Sequence, residues 1–79
     1  MKLWMGNIAP ETTETELRAF LERYGMSAVV SVQRMADEAL RPAAIVEVAA
    51  AVEQLQRLTQ RLNGMYWKGR ALTVQTMMR

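Results

Sequence analysis

The spacing of apolar residues along this chain changes period four times, and that succession constrains its fold more than any single motif does. "KLWMGNI" sets Leu3 and Met5 against Trp4 and then meets Gly6-Asn7, the pattern of a short strand ending in a turn. In "APETTETELRAFLERYG" the apolar positions move to helical spacing, at Leu17, Phe20, Leu21 and Tyr24. Thr13 and Glu16 form a capping box at the start of that helix, and Gly25 supplies a left-handed stop. Glu14 and Glu16 lie in the first turn, where the helix dipole favours negative charge. "AVVSVQRM" is β-branched enough for a second strand, with Val30 and Val32 on one side and Ser31, Gln33 and Met35 on the other. "ADEALRP" connects it to "AAIVEV", where Ala44, Val46 and Val48 share one face and Ala43, Ile45 and Glu47 the other. From Ala50 to Leu62, the residues Val52, Leu55, Leu58 and Leu62 give a second amphipathic helix, stopped by Asn63-Gly64. Its "AAA" start offers no side-chain oxygen as a cap. "MYWKGR" turns, and "ALTVQT" makes a last strand with Leu72 and Val74 on one side. Strand, helix, strand, strand, helix, strand predicts an α+β, two-layer ferredoxin-like sandwich of βαββαβ order. Its four-stranded antiparallel sheet carries both helices on one face and leaves the other open.

Seventy-nine residues suffice for one small domain, taken here as 1–79. Several chemistries are excluded outright. There is no cysteine, hence no disulfide framework and no thiolate, and no histidine, the commonest general base and metal ligand. No carboxylates pair on the strand ends, and "ADE" brings no third ligand within sequence reach, so neither catalysis nor metal binding is predicted. The loop after the first strand, "GNIAPETT", is acidic, which argues against an acylphosphatase-like phosphate cradle. No apolar run nears the ~20 residues of a membrane span, and "MKLWMGN" lacks the features of a signal peptide, so a cytoplasmic location is expected. No cofactor and no small-molecule substrate is implied. Charge is uneven: residues 1–53 carry a balance of −3, whereas Arg57, Arg61, Lys68, Arg70 and Arg79 face no acid after residue 53. That asymmetry permits an anionic partner, although on charge alone a solvated helix face with a basic tail is the favoured explanation.

In its order of motifs the chain resembles an RNA recognition motif domain over nearly its whole length. The family's longer motif reads K/R-G-F/Y-G/A-F-V-x-F/Y. "RPAAIVEV" matches it at Arg41, Ala44 and Val46. Pro42 replaces the glycine, Ala43 and Ile45 replace the stacking aromatics, and Val48 replaces the last aromatic. The shorter motif is better kept in "LWMGNI", with Trp4 at its aromatic position and Asn7 at its asparagine. "TTETELRAFLERYG" is similar to the family's first helix, and "LNGMYWKGRALTV" to its Leu-Asn-Gly…Gly-Arg-x-Leu-x-Val ending.

The resemblance implies single-stranded RNA held on the open sheet face, where unpaired bases stack on aromatic rings. A stack contributes roughly 1–3 kcal/mol per base, so two missing rings weaken binding by roughly 2–6 kcal/mol, or one and a half to four decades. The residues implied as the site are Trp4 for one base, Arg41 for a phosphate or guanidinium stack, and Asn7, Gln33, Met35, Ala43, Ile45 and Gln75 on the sheet. Lys68 and Arg70 join them only if that face takes nucleic acid; otherwise they are solvated. Glu47 on the same face repels phosphate. The family places a buried apolar residue where Trp67 stands, closing the sheet against the second helix, and Tyr66 is expected half exposed. Arg34 has core parity and is read as snorkelling at its strand's end. The competing function is a protein-binding or homodimerisation module that uses Trp4, Met35, Ala43 and Ile45 as an apolar patch.

Overall fold

The computed structural model describes residues 1–26 and 28–77. The six predicted elements appear in their predicted order, with a short unpredicted pair of strands before the last: β1 (Lys2–Gly6), α1 (Glu14–Arg23), β2 (Val29–Ala36), β3 (Pro42–Val48), α2 (Val52–Leu62), β4 (Tyr66–Trp67), β5 (Arg70–Ala71) and β6 (Thr73–Met77). β2, β3, β1 and β6 hydrogen-bond in that spatial order, every pair antiparallel. β1 is therefore central, although it comes first in the chain. This is the ferredoxin-like arrangement, with β2 and β6 as the free edges.

Local chemistry explains where the helices begin and end. Thr13 Oγ1 accepts the Glu16 N–H at 3.1 Å, and Glu16 Oε1 accepts the Thr13 N–H at 2.9 Å, so two orphan donors of α1 are satisfied reciprocally. Beyond α1 the chain turns through Gly25 at φ +97°, in the left-handed region that glycine enters without penalty. α2 starts at Ala51 with no side-chain cap, as the "AAA" stretch predicts. Burial of Leu55, Leu58 and Leu62 therefore holds this helix more than its own termini do.

Both helices lay their apolar faces on one side of the sheet. Leu17, Phe20 and Leu21 of α1 and Leu55, Leu58 and Leu62 of α2 close over Leu3, Met5, Ala44, Val46, Val48 and Val74. These sheet residues follow the alternation read from the sequence, each strand sending every second side chain inward. β2 departs from it. A register shift between Val29 and Ser31 inserts one extra residue, and Val30, expected in the core with Val32, is 58% exposed. Val29 takes the inward position beside Val32, and both pack against the core.

Residues 65–70 do more than turn. Lys68 and Gly69, both at positive φ, form the two-residue turn of a small hairpin in which Tyr66 pairs with Ala71 and Trp67 with Arg70. Such a turn matches the twist of the strands it joins. The hairpin sets Trp67 against Phe20, rings stacked with centroids 4.5 Å apart. Trp67 thus packs on the core as expected, but its aromatic partner is on α1 and not on the second helix.

Arg34 resolves differently from a snorkelling side chain. Its guanidinium donates to the carbonyls of Thr12 and, at 3.5 Å, Pro10, while its backbone N–H reaches Glu14 Oε2 at 3.3 Å. The residue pins the loop before α1 to β2, supplying donors to carbonyls that the helix itself cannot use.

Candidate nucleic-acid interface

The face of the sheet away from the helices is a grid set by the strand register. Its middle row runs Gln33, Ile45, Trp4, Gln75 across β2, β3, β1 and β6. The next row runs Met35, Ala43, Gly6, Thr73, and the row on the other side runs Ser31, Glu47, Lys2, Met77. Trp4 therefore stands at the centre of an uncovered β surface, half-buried, with exposed Gln33 and Gln75 at the ends of its row.

The indole does not stand upright. A Cβ added at Gly6 would overlap Cη2 of Trp4 and sit 2.7 Å from Cζ3, so the benzo ring lies over Gly6, two residues along its own strand. This geometry bears on Ala43, the cross-strand neighbour of Gly6. Expected as a contact residue, Ala43 is only 1% exposed, because a side chain that ends at Cβ lies low between its neighbours in the row. It contributes a floor, not a contact. Ile45 remains partly open and Met35 is 40% exposed, so the apolar patch proper is Trp4, Ile45 and Met35.

Two shallow clefts flank the indole. One, of about 570 Å³, runs from Trp4 and Met35 to Asp37, Glu38, Ala39 and Arg41. The other, of about 320 Å³, is bounded by Trp4, Asn7, Asp37, Arg41 and Thr73. Arg41 is common to both, and its side chain is 74% exposed while its Nε donates to Asp37 Oδ2 at 2.8 Å. One edge of the guanidinium is thus fixed, while most of the side chain stays open to solvent.

Asp37 is the residue at this site that the sequence reading passed over, weighing it only as a metal ligand. Its Oδ1 accepts the N–H groups of Ala39 and Arg41, both at 2.9 Å, besides the Arg41 Nε bond to Oδ2. These bonds, led by the Arg41 backbone N–H, hold its carboxyl below the usual aspartate range. The available signal was an aspartate beginning a short connection between strands, where its side chain can bond the backbone two residues on.

Asn7 lies at the end of β1 with φ +55°, a conformation asparagine tolerates. Its Nδ2 donates to the Ala71 carbonyl at 2.8 Å, and its Oδ1 accepts from Arg70 Nη1 at 3.4 Å. Asn7 thus bounds the second cleft, and Arg70 reaches the edge of the face through its bond to Asn7. Lys68 is elsewhere: its Nζ pairs with Glu16 Oε2 at 2.8 Å, 5.3 Å from the Trp67 ring centroid, on the α1 side of the molecule. The structure therefore brings Trp4, Asn7, Gln33, Met35, Arg41, Ile45, Arg70 and Gln75 to one face or its rim, buries Ala43 beneath it, and leaves Lys68 out. Tyr66, expected half exposed, is 76% exposed on the hairpin.

Arg57 and Arg61 project from α2 in the opposite layer, and Arg79 lies outside the described residues, so most of the C-terminal basic excess is not on this face. No cluster of three metal-ligating side chains occurs among the described residues. Nor is any described helix long and apolar enough to cross a membrane.

Comparison with known proteins identifies the family and the fold. The family model described as RNA recognition motif matches residues 3–73. Among solved structures, the RNA-binding protein PG1 is 27% identical, with a TM-score of 0.79, over 100% of this chain and 95% of that one. The Rna15 domain solved with bound GU RNA is 21% identical, with a TM-score of 0.77, over 99% and 83% of the two chains. Domains 1 and 2 of Sex-lethal from Drosophila melanogaster give 21% identity and a TM-score of 0.73, over 92% and 46%. At that level of identity the last two are likenesses of fold. No curated protein matches the chain.

Proposed function

Since the chain belongs to the RNA recognition motif family, we propose that it binds single-stranded RNA with modest affinity on the uncovered face of its sheet. One unpaired base stacks on the outward face of Trp4, and Arg41 meets the adjoining phosphate. The observation that carries this reading is the indole laid over Gly6 at the centre of the open grid, with an exposed guanidinium beside it. The named RNA-binding activity of PG1, and the RNA held by the Rna15 domain, support the same reading by analogy.

Magnitudes set the affinity class. With one aromatic platform instead of several, stacking supplies roughly 1–3 kcal/mol. The cations at hand are Lys2, Arg41 and Arg70, with Glu47, Asp37 and Glu38 nearby to offset them. Each phosphate neutralised on a single strand adds roughly 0.7 to the logarithmic salt slope, so a slope near −2 is expected, shallow for a nucleic-acid binder.

Fluorescence anisotropy with a short unstructured RNA of mixed sequence, titrated across salt concentrations, tests the proposal. Trp4→Ala is expected to weaken binding between roughly five-fold and a hundred-fold, the range of one lost stack. Arg41→Ala is expected to reduce the salt slope by roughly 0.7, the share of one phosphate. Absence of binding at low salt, with sedimentation as a dimer, would transfer the Trp4–Ile45–Met35 patch to a protein contact and overturn the RNA reading.

A further inference from the structure

In the helical layer, a cleft of about 230 Å³ opens between the end of α1 and the side of α2. Its apolar floor is half-buried Tyr24 with buried Met26, both just past α1, and buried Leu58 of α2. Exposed Gln54, Arg57 and Arg61 line it from α2. Gln54, Arg57, Leu58 and Arg61 recur at three- and four-residue spacing, so a single stripe of the helix faces the cleft.

That stripe is arranged against the helix's own interest. Arg57 and Arg61 stand four residues apart, a like-charge pair that destabilises a helix, and α2 has no side-chain cap to offset it. Among the described residues, neither guanidinium enters an ion pair. Glu53 lies one turn before Arg57, in the order that favours a pair, yet forms none with it. Neither Glu53 nor Glu22, the acids closest in sequence, lines the cleft. The carbonyls of Leu21 and Glu22 at the end of α1 already accept the N–H groups of Tyr24, Gly25 and Met26, at 2.9–3.1 Å. Two guanidiniums thus border an apolar hollow that supplies no anion of its own.

We propose that this cleft receives an acidic segment of a partner protein. Two carboxylates meet Arg57 and Arg61, and one apolar side chain rests on Tyr24, Met26 and Leu58. The guanidinium fork matches a carboxylate with two parallel hydrogen bonds, and the charge lining the hollow calls for that sign. A nucleobase suits it less well. The Tyr24 ring leans on Phe20, centroids 5.0 Å apart and planes at 55°, and is half-buried, so it presents no open platform for stacking. The site lies in the layer opposite Trp4 and does not depend on the RNA reading.

Amide chemical shifts, followed at low salt, test the proposal with a pool of short capped peptides carrying Asp and Glu around one Leu, Phe or Trp. The resonances of Tyr24, Gln54, Arg57 and Arg61 are expected to move, and those of Trp4 and Gln75 to stay. A matched pool with Asn and Gln in place of the acids is expected to move none of them. Arg57→Gln and Arg61→Gln are each expected to weaken the acidic peptides roughly two- to five-fold, the share of one exposed ion pair. The thermal midpoint stays level or rises in both variants, because the like-charge pair is relieved. If the acidic pool moves no resonance at the cleft, or both variants bind it as tightly as the parent, the docking site is refuted, whatever RNA does at Trp4. If a short unstructured RNA moves these resonances and the peptides do not, the cleft belongs to the path of the RNA and the protein proposal falls.

Discussion

A methyl group at position 6 would occupy space now held by the benzo ring of Trp4, so the indole can lie along its strand only because residue 6 lacks a Cβ. Gly6→Ala is expected to lift the ring from the sheet, lower RNA affinity about ten-fold within the range of one stack, and shift the indole emission. Far-ultraviolet circular dichroism should be unchanged, because Gly6 ends its strand. At this scale the sequence was only partly legible. Trp4 and Asn7 could be picked out from motif spacing, since strand parity alone puts them at the open face and its end. The reach of the indole over Gly6 is a side-chain rotamer, which parity does not specify. Ala43 shows the same gap from the other side: its face was read correctly, but its exposure depends on how far the neighbouring side chains rise above it.

Elements stabilised by their own residues were the most legible. The capping box of α1 involves partners three residues apart and is present as read. The bulge in β2 was not visible, because it is a mismatch between that strand and β3 and belongs to neither sequence alone. Arg34 was opaque for a similar reason, its partners lying on the loop before α1. Arg34→Met removes those donors and leaves the part-buried Thr12 carbonyl with one partner fewer, at an expected cost of about 1 kcal/mol. Urea denaturation should show that loss while RNA affinity, corrected for the folded fraction, stays constant. The turn from Asp37 to Arg41 should respond to acid in a defined direction. Its carboxyl titrates lower in the fold than in the unfolded chain. The stabilisation is therefore complete above the unfolded-state value and disappears as pH falls through the lower folded-state value. Amide resonances of Ala39 and Arg41 are expected to move with a midpoint below the ordinary aspartate range, and Asp37→Asn should abolish that transition.

Both layers of the whole molecule carry charges of both signs. Sequence order was enough to predict the layers, because two apolar helix stripes require one apolar sheet face. It was not enough to say which layer receives the basic residues: Lys68 turned to Glu16, and Arg57 and Arg61 stayed on α2. The molecule spans 30 × 24 × 21 Å, against a screening length of about 10 Å at 0.1 M salt. Reversing both charges, as Arg57→Glu with Arg61→Glu, should accordingly change RNA affinity less than about two-fold at that salt. A large loss in a binding titration would move the interface to the helical layer. The extra residue at Val30 also bears on how copies of the molecule treat one another. A continuous outer strand would offer an unbroken ladder of free amides and carbonyls on which another chain could polymerise. Interrupting that ladder in β2 spoils the template, so the concentrated protein should resist fibre formation along that margin despite the bare valine it displays.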